Sequence, residues 1–368
     1  MLARLRFDTE RSAGRRYPEL PHPYRTEFQR DRDRIVHSRA FRRLEDKTQV
    51  FPAGLSDHFR NRLTHTIEVA QIARTVASVL DLNCDLTEAL ALVHDIGHPP
   101  FAHAGEEELD RQMQRFGDRF DHNKHALRIV ERVEHRYARF PGLNLTFEVR
   151  EGIVKHSSDF GPGSEPELQE YLPGLRPPLE AQLIDLCDEV AYNTADLDDA
   201  FSAGLLDPEL LRESVPRFAE LLDTAEMQYP GSPDALRLHE VVRGLVDHLV
   251  SGLIQGTLEA CDGLMEPDEV RRAGGRLAKY TDEAAATNAQ LKRVLRANVY
   301  NSEMVVAERR LSTQRIAELF DHLLDHPEVL PTAYLEDAAD LPRYRMVCDY
   351  IAGMTDGFFE RTYQQLLG

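Results

Sequence analysis

The sequence of 368 residues is short of cysteine: Cys84, Cys187, Cys261 and Cys348 lie far apart and form no CxxC pair. That excludes a thiolate zinc site and a disulfide scaffold, and fits a reducing cytoplasm. No run of 18 apolar residues occurs, so no membrane-spanning helix is expected. The opening MLARLRFDTE is charged throughout and lacks the apolar segment of a secretory signal. Low-complexity tracts and convincing strand alternation are also missing. Positive charge is scarce. With 44 Lys and Arg against 63 Asp and Glu the net charge is −19, which argues against a general nucleic-acid binder, because phosphate neutralisation supplies most of that affinity.

Residues 1–50 depart from this balance, with 13 Lys and Arg against 8 Asp and Glu, a local +5. Arg60 and Arg62 follow. Such a segment is either a solvated basic face or a positive rim for a small anionic ligand, a polyphosphate more readily than a duplex.

Helical periodicity dominates, and the fold class is all-α. Val69, Ile72, Ala73, Val76 and Leu80 recur at helical spacing, which puts His65 on the buried face of the same helix. In DLTEALALVHDIG, Asp85 and Glu88 have the form of a capping box, and Gly97 and Pro99 end the helix, so His94 and Asp95 fall in its last turn. Further helices are expected over 122–139, 146–156, 234–262, 282–300, 303–325 and 341–365. Residues 159–178 carry five prolines and three glycines and read as a loop, a candidate flap over a site. The expected organisation is a basic amino-terminal segment over 1–50, a helical core over 51–210 and additional carboxy-terminal helices over 211–368.

Chemistry concentrates in HDIGHPPFAH, which places His94, Asp95, His98 and His103 within ten residues. Asp188 lies among Leu183, Ile184, Leu186, Cys187, Val190 and Ala191, and an unpaired carboxylate there would be costly to bury. Taken singly, each residue has an ordinary explanation: a core histidine for His65, an arginine salt bridge for Asp188, a core aromatic for Tyr192, surface residues for Arg62 and Gln49. Together, His65, His94, Asp95 and Asp188 form a mixed nitrogen and oxygen set suited to Mn²⁺, Mg²⁺, Fe²⁺ or Co²⁺.

Five blocks in order, FRRLEDKTQVF (41–51), HFRNRLTHTIEVAQIAR (58–74), HDIGHPPFAHAGEE (94–107), FDHN (120–123) and DLCDEVAYNTADLDD (185–199), resemble the HD-superfamily deoxynucleoside triphosphate triphosphohydrolases, the dGTPase-like family. The resemblance is close over about residues 20–200 and looser beyond. It implies a helical HD core that splits a dNTP into deoxynucleoside and inorganic triphosphate. By position it makes His65, His94, Asp95 and Asp188 the metal ligands and His103 the catalytic histidine, supported by Glu106. It puts His98, His122 and Arg62 near the phosphates, Gln49 at the sugar 3′-hydroxyl, and Tyr192 and Asp196 near the sugar and phosphates. Asp188, Tyr192 and Asp196 share one helix face at i, i+4 and i+8. The family's lysine after the last ligand is Glu189 here, and Lys292, Arg293 and Arg296 compete for a triphosphate contact. The family also implies a homo-oligomer, hexamers among them, with nucleotide or single-stranded DNA effectors. The competing readings are another HD phosphohydrolase, such as a nucleotidase or a cyclic-nucleotide or alarmone phosphodiesterase, and a helical scaffold with a structural metal.

Overall fold

The computed structural model describes residues 1–50 and 59–368. Among them the regular structure is helical, with only isolated β-bridges. The all-α expectation holds. Of the quoted motifs, Phe51 and His58 lie outside the described residues. Among the described residues no helix is long and apolar enough to cross a membrane.

The residues group into two compact units, each built from separated stretches of chain. The first comprises Met1–Ser12, Ile67–Ala91 and Lys155–Val305. Its centre is the helices Leu179–Ser202, Asp234–Ala260 and Asp282–Leu295, which pack together. Glycines permit the contact. A Cβ on Gly256 would stand 2.4 Å from the Tyr280 carbonyl carbon, and one on Gly252 2.3 Å from the Ala284 Cβ. The 159–178 stretch belongs here and is not a free flap. Tyr171 is fully buried, and the buried Lys155 ammonium donates to the carbonyls of Leu172 (3.1 Å) and Leu175 (2.9 Å).

The second unit comprises Ala13–Thr66, Leu92–Val154 and Val306–Gly368. Its core sets Leu109, Met113 and Phe120 against Ile316, Phe320, Val347, Ile351 and Phe359. Much of the amino-terminal positive charge is paired inside this unit. Arg15 reaches the buried Asp31 at 2.5 Å, Arg30 meets Glu27 at 2.8 Å, and Arg34 meets Glu19 at 2.7 Å. These three arginines therefore hold the fold together and do not form a rim for an anion.

Several boundaries move. Helix Cys84–Val93 is capped by Asn83, whose Oδ1 accepts the Leu86 N–H at 3.2 Å, and Glu88 pairs with Arg74, so the expected Asp85–Glu88 box is not formed. The helix ends at Val93, one residue before His94. The expected 341–365 helix is two, Arg343–Ala352 and Asp356–Leu367, because Thr355 starts a new one by accepting the Phe358 N–H at 3.2 Å. The expected 122–139 helix is His122–Arg128 followed by a π-helical turn, Ile129–Val133.

Glu180, fully buried in the first unit, ties three stretches together. Its Oε1 accepts N–H groups from Phe7 (2.9 Å) and Asn83 (3.1 Å), and burial raises its pKa to about 7. A carboxyl whose folded pKa is raised favours the fold fully below its unfolded value near 4.5, and loses that advantage as pH rises through about 7. At pH 8 ionisation should cost about 3 kcal/mol. Glu180→Gln keeps an acceptor without the charge, so the variant should gain thermal stability relative to the parent between pH 5 and 8 by several degrees (about 2–4 °C per kcal/mol). Melting curves at matched pH check this, and a pH-independent difference between the two proteins would refute it.

Candidate functional site

In the second unit, the turn after Val93 folds tightly because Gly97 meets the first turn of helix His122–Arg128. A Cβ there would stand 2.0 Å from the His122 carbonyl oxygen and 2.5 Å from the Ala126 nitrogen. This approach brings His98 onto His122, with ring centroids 3.9 Å apart and planes 15° from parallel. His125 Nδ1 lies 2.8 Å from the Gly97 carbonyl oxygen and ties the two segments again.

Asp95 is buried at the centre of this turn. Arg62 donates to its Oδ2 at 2.8 Å, His98 Nε2 lies 3.1 Å from its Oδ1, and His94 Nε2 lies 3.5 Å away. Burial pushes the carboxyl up, but the Arg62 charge and then His94 and His98 outweigh it, so Asp95 is held well below the usual carboxylate range. His65 is buried as expected, its ring edge-on to His94 at 5.9 Å. Arg62, assigned by resemblance to the phosphates, is engaged by the Asp95 carboxylate in this structure.

Glu106 interacts with His103, its expected partner, and lies closer still to His122. Its Oε1 lies 2.7 Å from His122 Nδ1 and accepts the His122 backbone N–H at 3.0 Å, whereas His103 Nδ1 is 4.0 Å away. Burial raises the Glu106 carboxyl, and the His103 and His122 imidazoles outweigh it, holding it well below its ordinary value. His122, lowered by burial, is raised more strongly by Glu106 and so favours the cation. His98 moves the other way: burial, Arg62 and His122 depress it well below the usual imidazole value. The stacked rings are thus shifted in opposite directions, His98 toward the neutral form and His122 toward the cation. Ligand atoms of His98, Glu106 and His122 all lie within 4.8 Å of one another, close enough to share a cation. The His103 side chain is 70% exposed and accessible to a ligand. Gln49 Oε1 is buried with no hydrogen-bond partner among the described residues.

The first unit carries the other candidates on helix Leu179–Ser202. Asp188 and Tyr192 are half-buried and Asp196 is buried. Tyr300 was missed by sequence reasoning. It ends a π-helical turn, Arg296–Tyr300, stacks on Tyr192 at 5.8 Å and donates to Asp196 at 2.5 Å. Only its place at a helix end hinted at a role, since π-turns gather at functional sites. Burial and Asp196 raise the Tyr192 hydroxyl, which stays a neutral donor. Of the three competing basic residues, Lys292 is taken by Glu189 at 2.6 Å. Asp185, one helical turn before Asp188, pairs with His156 at 2.8 Å and with Arg276.

The HD domain model matches residues 62–193, and the phosphohydrolase-associated domain model matches residues 278–365. The chain is 43% identical over 97% of its length to a deoxyguanosinetriphosphate triphosphohydrolase-like protein of Geobacter sulfurreducens, 92% of which is covered. Proteins of the same description from Ralstonia nicotianae and Brucella anthropi are 44% and 42% identical, over 96% and 98% of this chain and 92% and 94% of their own lengths. HD domains bind divalent metals, and this chain has histidine and acidic side chains placed to hold one.

Gly97→Ala tests the close approach. It should lower stability by about 1–3 kcal/mol, since the backbone must shift to admit the methyl group, and separate His98 from His122. Gly231→Ala, with open space around it, should leave the melting temperature unchanged. Equal melting temperatures for both variants would refute the packing account.

Proposed function

This chain belongs to the HD-domain phosphohydrolase family of deoxyguanosinetriphosphate triphosphohydrolase-like proteins, and on that premise we propose that it hydrolyses a dNTP to deoxynucleoside and inorganic triphosphate. The observation that carries the reading is the buried, ionised Asp95 beside His94 and His98, with the Glu106–His122 pair adjoining. What supports the reading is a site whose buried acids are already neutralised by a guanidinium and imidazoles.

His65, His94, Asp95 and Asp188, all within the matched HD span, would hold a divalent cation, Mn²⁺ or Mg²⁺ with Fe²⁺ and Co²⁺ as alternatives, whose chemistry is to polarise a phosphate oxygen and acidify bound water. Asp95 and His94 suit such a cation, being hard donors already held in fixed orientation. Water attacks the α-phosphorus in line, and the bond to the 5′-oxygen breaks. That leaving oxygen is a strongly basic alkoxide, and His103, exposed and unshielded, would protonate it. His98, His122 and Arg62 would hold the triphosphate and offset its charge. Gln49 Oε1 would accept a hydrogen bond from the sugar 3′-hydroxyl, and Tyr192 would occupy the space a ribose 2′-hydroxyl needs, with Asp196 beside it. The same family reading carries a cytoplasmic homo-oligomer, hexamers included, with a nucleotide or single-stranded DNA effector.

Incubation with each dNTP and Mn²⁺ or Mg²⁺, followed by separation of products, is the test. Triphosphate and deoxynucleoside in equal amounts are expected. Pyrophosphate with a monophosphate would reject the reaction in favour of another HD phosphohydrolase. His103→Ala should lower kcat about 10²–10⁴-fold, the usual contribution of general acid catalysis, with little change in melting temperature.

A further inference from the structure

Helix Ala102–Gln114 carries His103 and Glu106, yet it begins without a side-chain cap. Its entry is instead two consecutive left-handed residues that are not glycine, Phe101 at φ 63° and Ala102 at φ 55°. Such backbone is unfavourable for L-residues and persists only where neighbours enforce it. In the second unit the enforcing group is Asp356, in the first turn of helix Asp356–Leu367. One carboxylate oxygen accepts the Phe101 N–H at 3.1 Å, and the other accepts the Thr48 N–H at 2.8 Å. From the same helix Phe359 packs edge-on against the Phe101 ring at 5.0 Å. One step back along the loop, the buried Lys47 ammonium donates to the carbonyls of His98 and of Ala352.

We propose that Asp356 is a positioning residue: by gripping the amides of Phe101 and Thr48 together, it sets where the helix of His103 and Glu106 starts and holds Gln49 beside it. The inference rests on the proposed dNTP hydrolysis for its kinetic consequence only. Asp356 touches neither substrate nor reacting atoms. Its carboxylate supplies two acceptors to two converging amides. An asparagine would supply one and set an N–H against an N–H, and an alanine neither.

Three single variants and one double variant, compared with the parent, decide the matter. Asp356→Ala should lower kcat about 10²-fold, the scale of loss when catalytic groups drift by an ångström, and Asp356→Asn should fall between it and the parent. Ala102→Gly, neutral in the parent, should restore several-fold of kcat to Asp356→Ala, because glycine enters the left-handed region without a Cβ penalty. A merely structural role would show no such rescue, since glycine at a helix start only loosens it. Hydrogen exchange gives a readout free of turnover: the amides of His98, Phe101, Ala102 and His103 should exchange faster in Asp356→Ala while helix Arg343–Ala352 keeps its protection. Unchanged exchange at 98–103, or equal deprotection of both segments without glycine rescue, would overturn the proposal. Failure of the parent to release triphosphate from any dNTP would instead overturn the proposed function, and the exchange experiment would still judge the clamp.

Discussion

A buried carboxylate has to be neutralised by what surrounds it, and at Asp95 that requirement organises the second unit. Arg62, His94 and His98 converge on the one side chain, from the start of one helix and from the turn that follows another. Removing the acid would leave a guanidinium buried with no counter-charge, and removing the arginine would leave an acid in low dielectric; neither is tolerated cheaply. The same cluster therefore fixes the orientation of histidine and acidic side chains, donor types suited to a divalent metal.

Around that centre the polar groups are arranged in opposed pairs. His98 and His122 stack in contact, but their environments differ: His98 faces Arg62 and is held neutral, whereas His122 faces Glu106 and is favoured as the cation. Two identical side chains thus differ in hydrogen-bonding character. Gly97 makes this possible, because any side chain there would separate the two rings. The charge state of the site is a consequence of packing as much as of composition.

The carboxy-terminal region contributes more than bulk. Helix Asp356–Leu367 reaches the loop before His103 through a carboxylate and an aromatic edge, and Lys47 joins that loop to the Ala352 carbonyl at the end of the preceding helix. The separation in sequence is more than 250 residues between Phe101 and Asp356. The segment matched by the phosphohydrolase-associated model thus includes residues that shape the HD loop itself. Clusters in the first unit follow the same logic, with Tyr300 fixing the Asp196 carboxylate and Lys292 balancing Glu189.

Local pattern was enough to establish an all-α chain, the helix faces carrying His65 and Asp188, and the donor types gathered in HDIGHPPFAH, because period and residue chemistry are properties of adjacent sequence. It was not enough to say which partner each charged group would choose. Glu106 lies three residues after His103 yet sits closer to His122; Arg62 meets Asp95; Arg15, Arg30 and Arg34 bond acids of their own unit. Asp356 carries no signature at all, and Tyr300 only its place at a helix end. Those choices depend on which groups long-range packing brings within 3 Å or so of each other, and on how burial ranks competing charges, so only the tertiary structure could decide them.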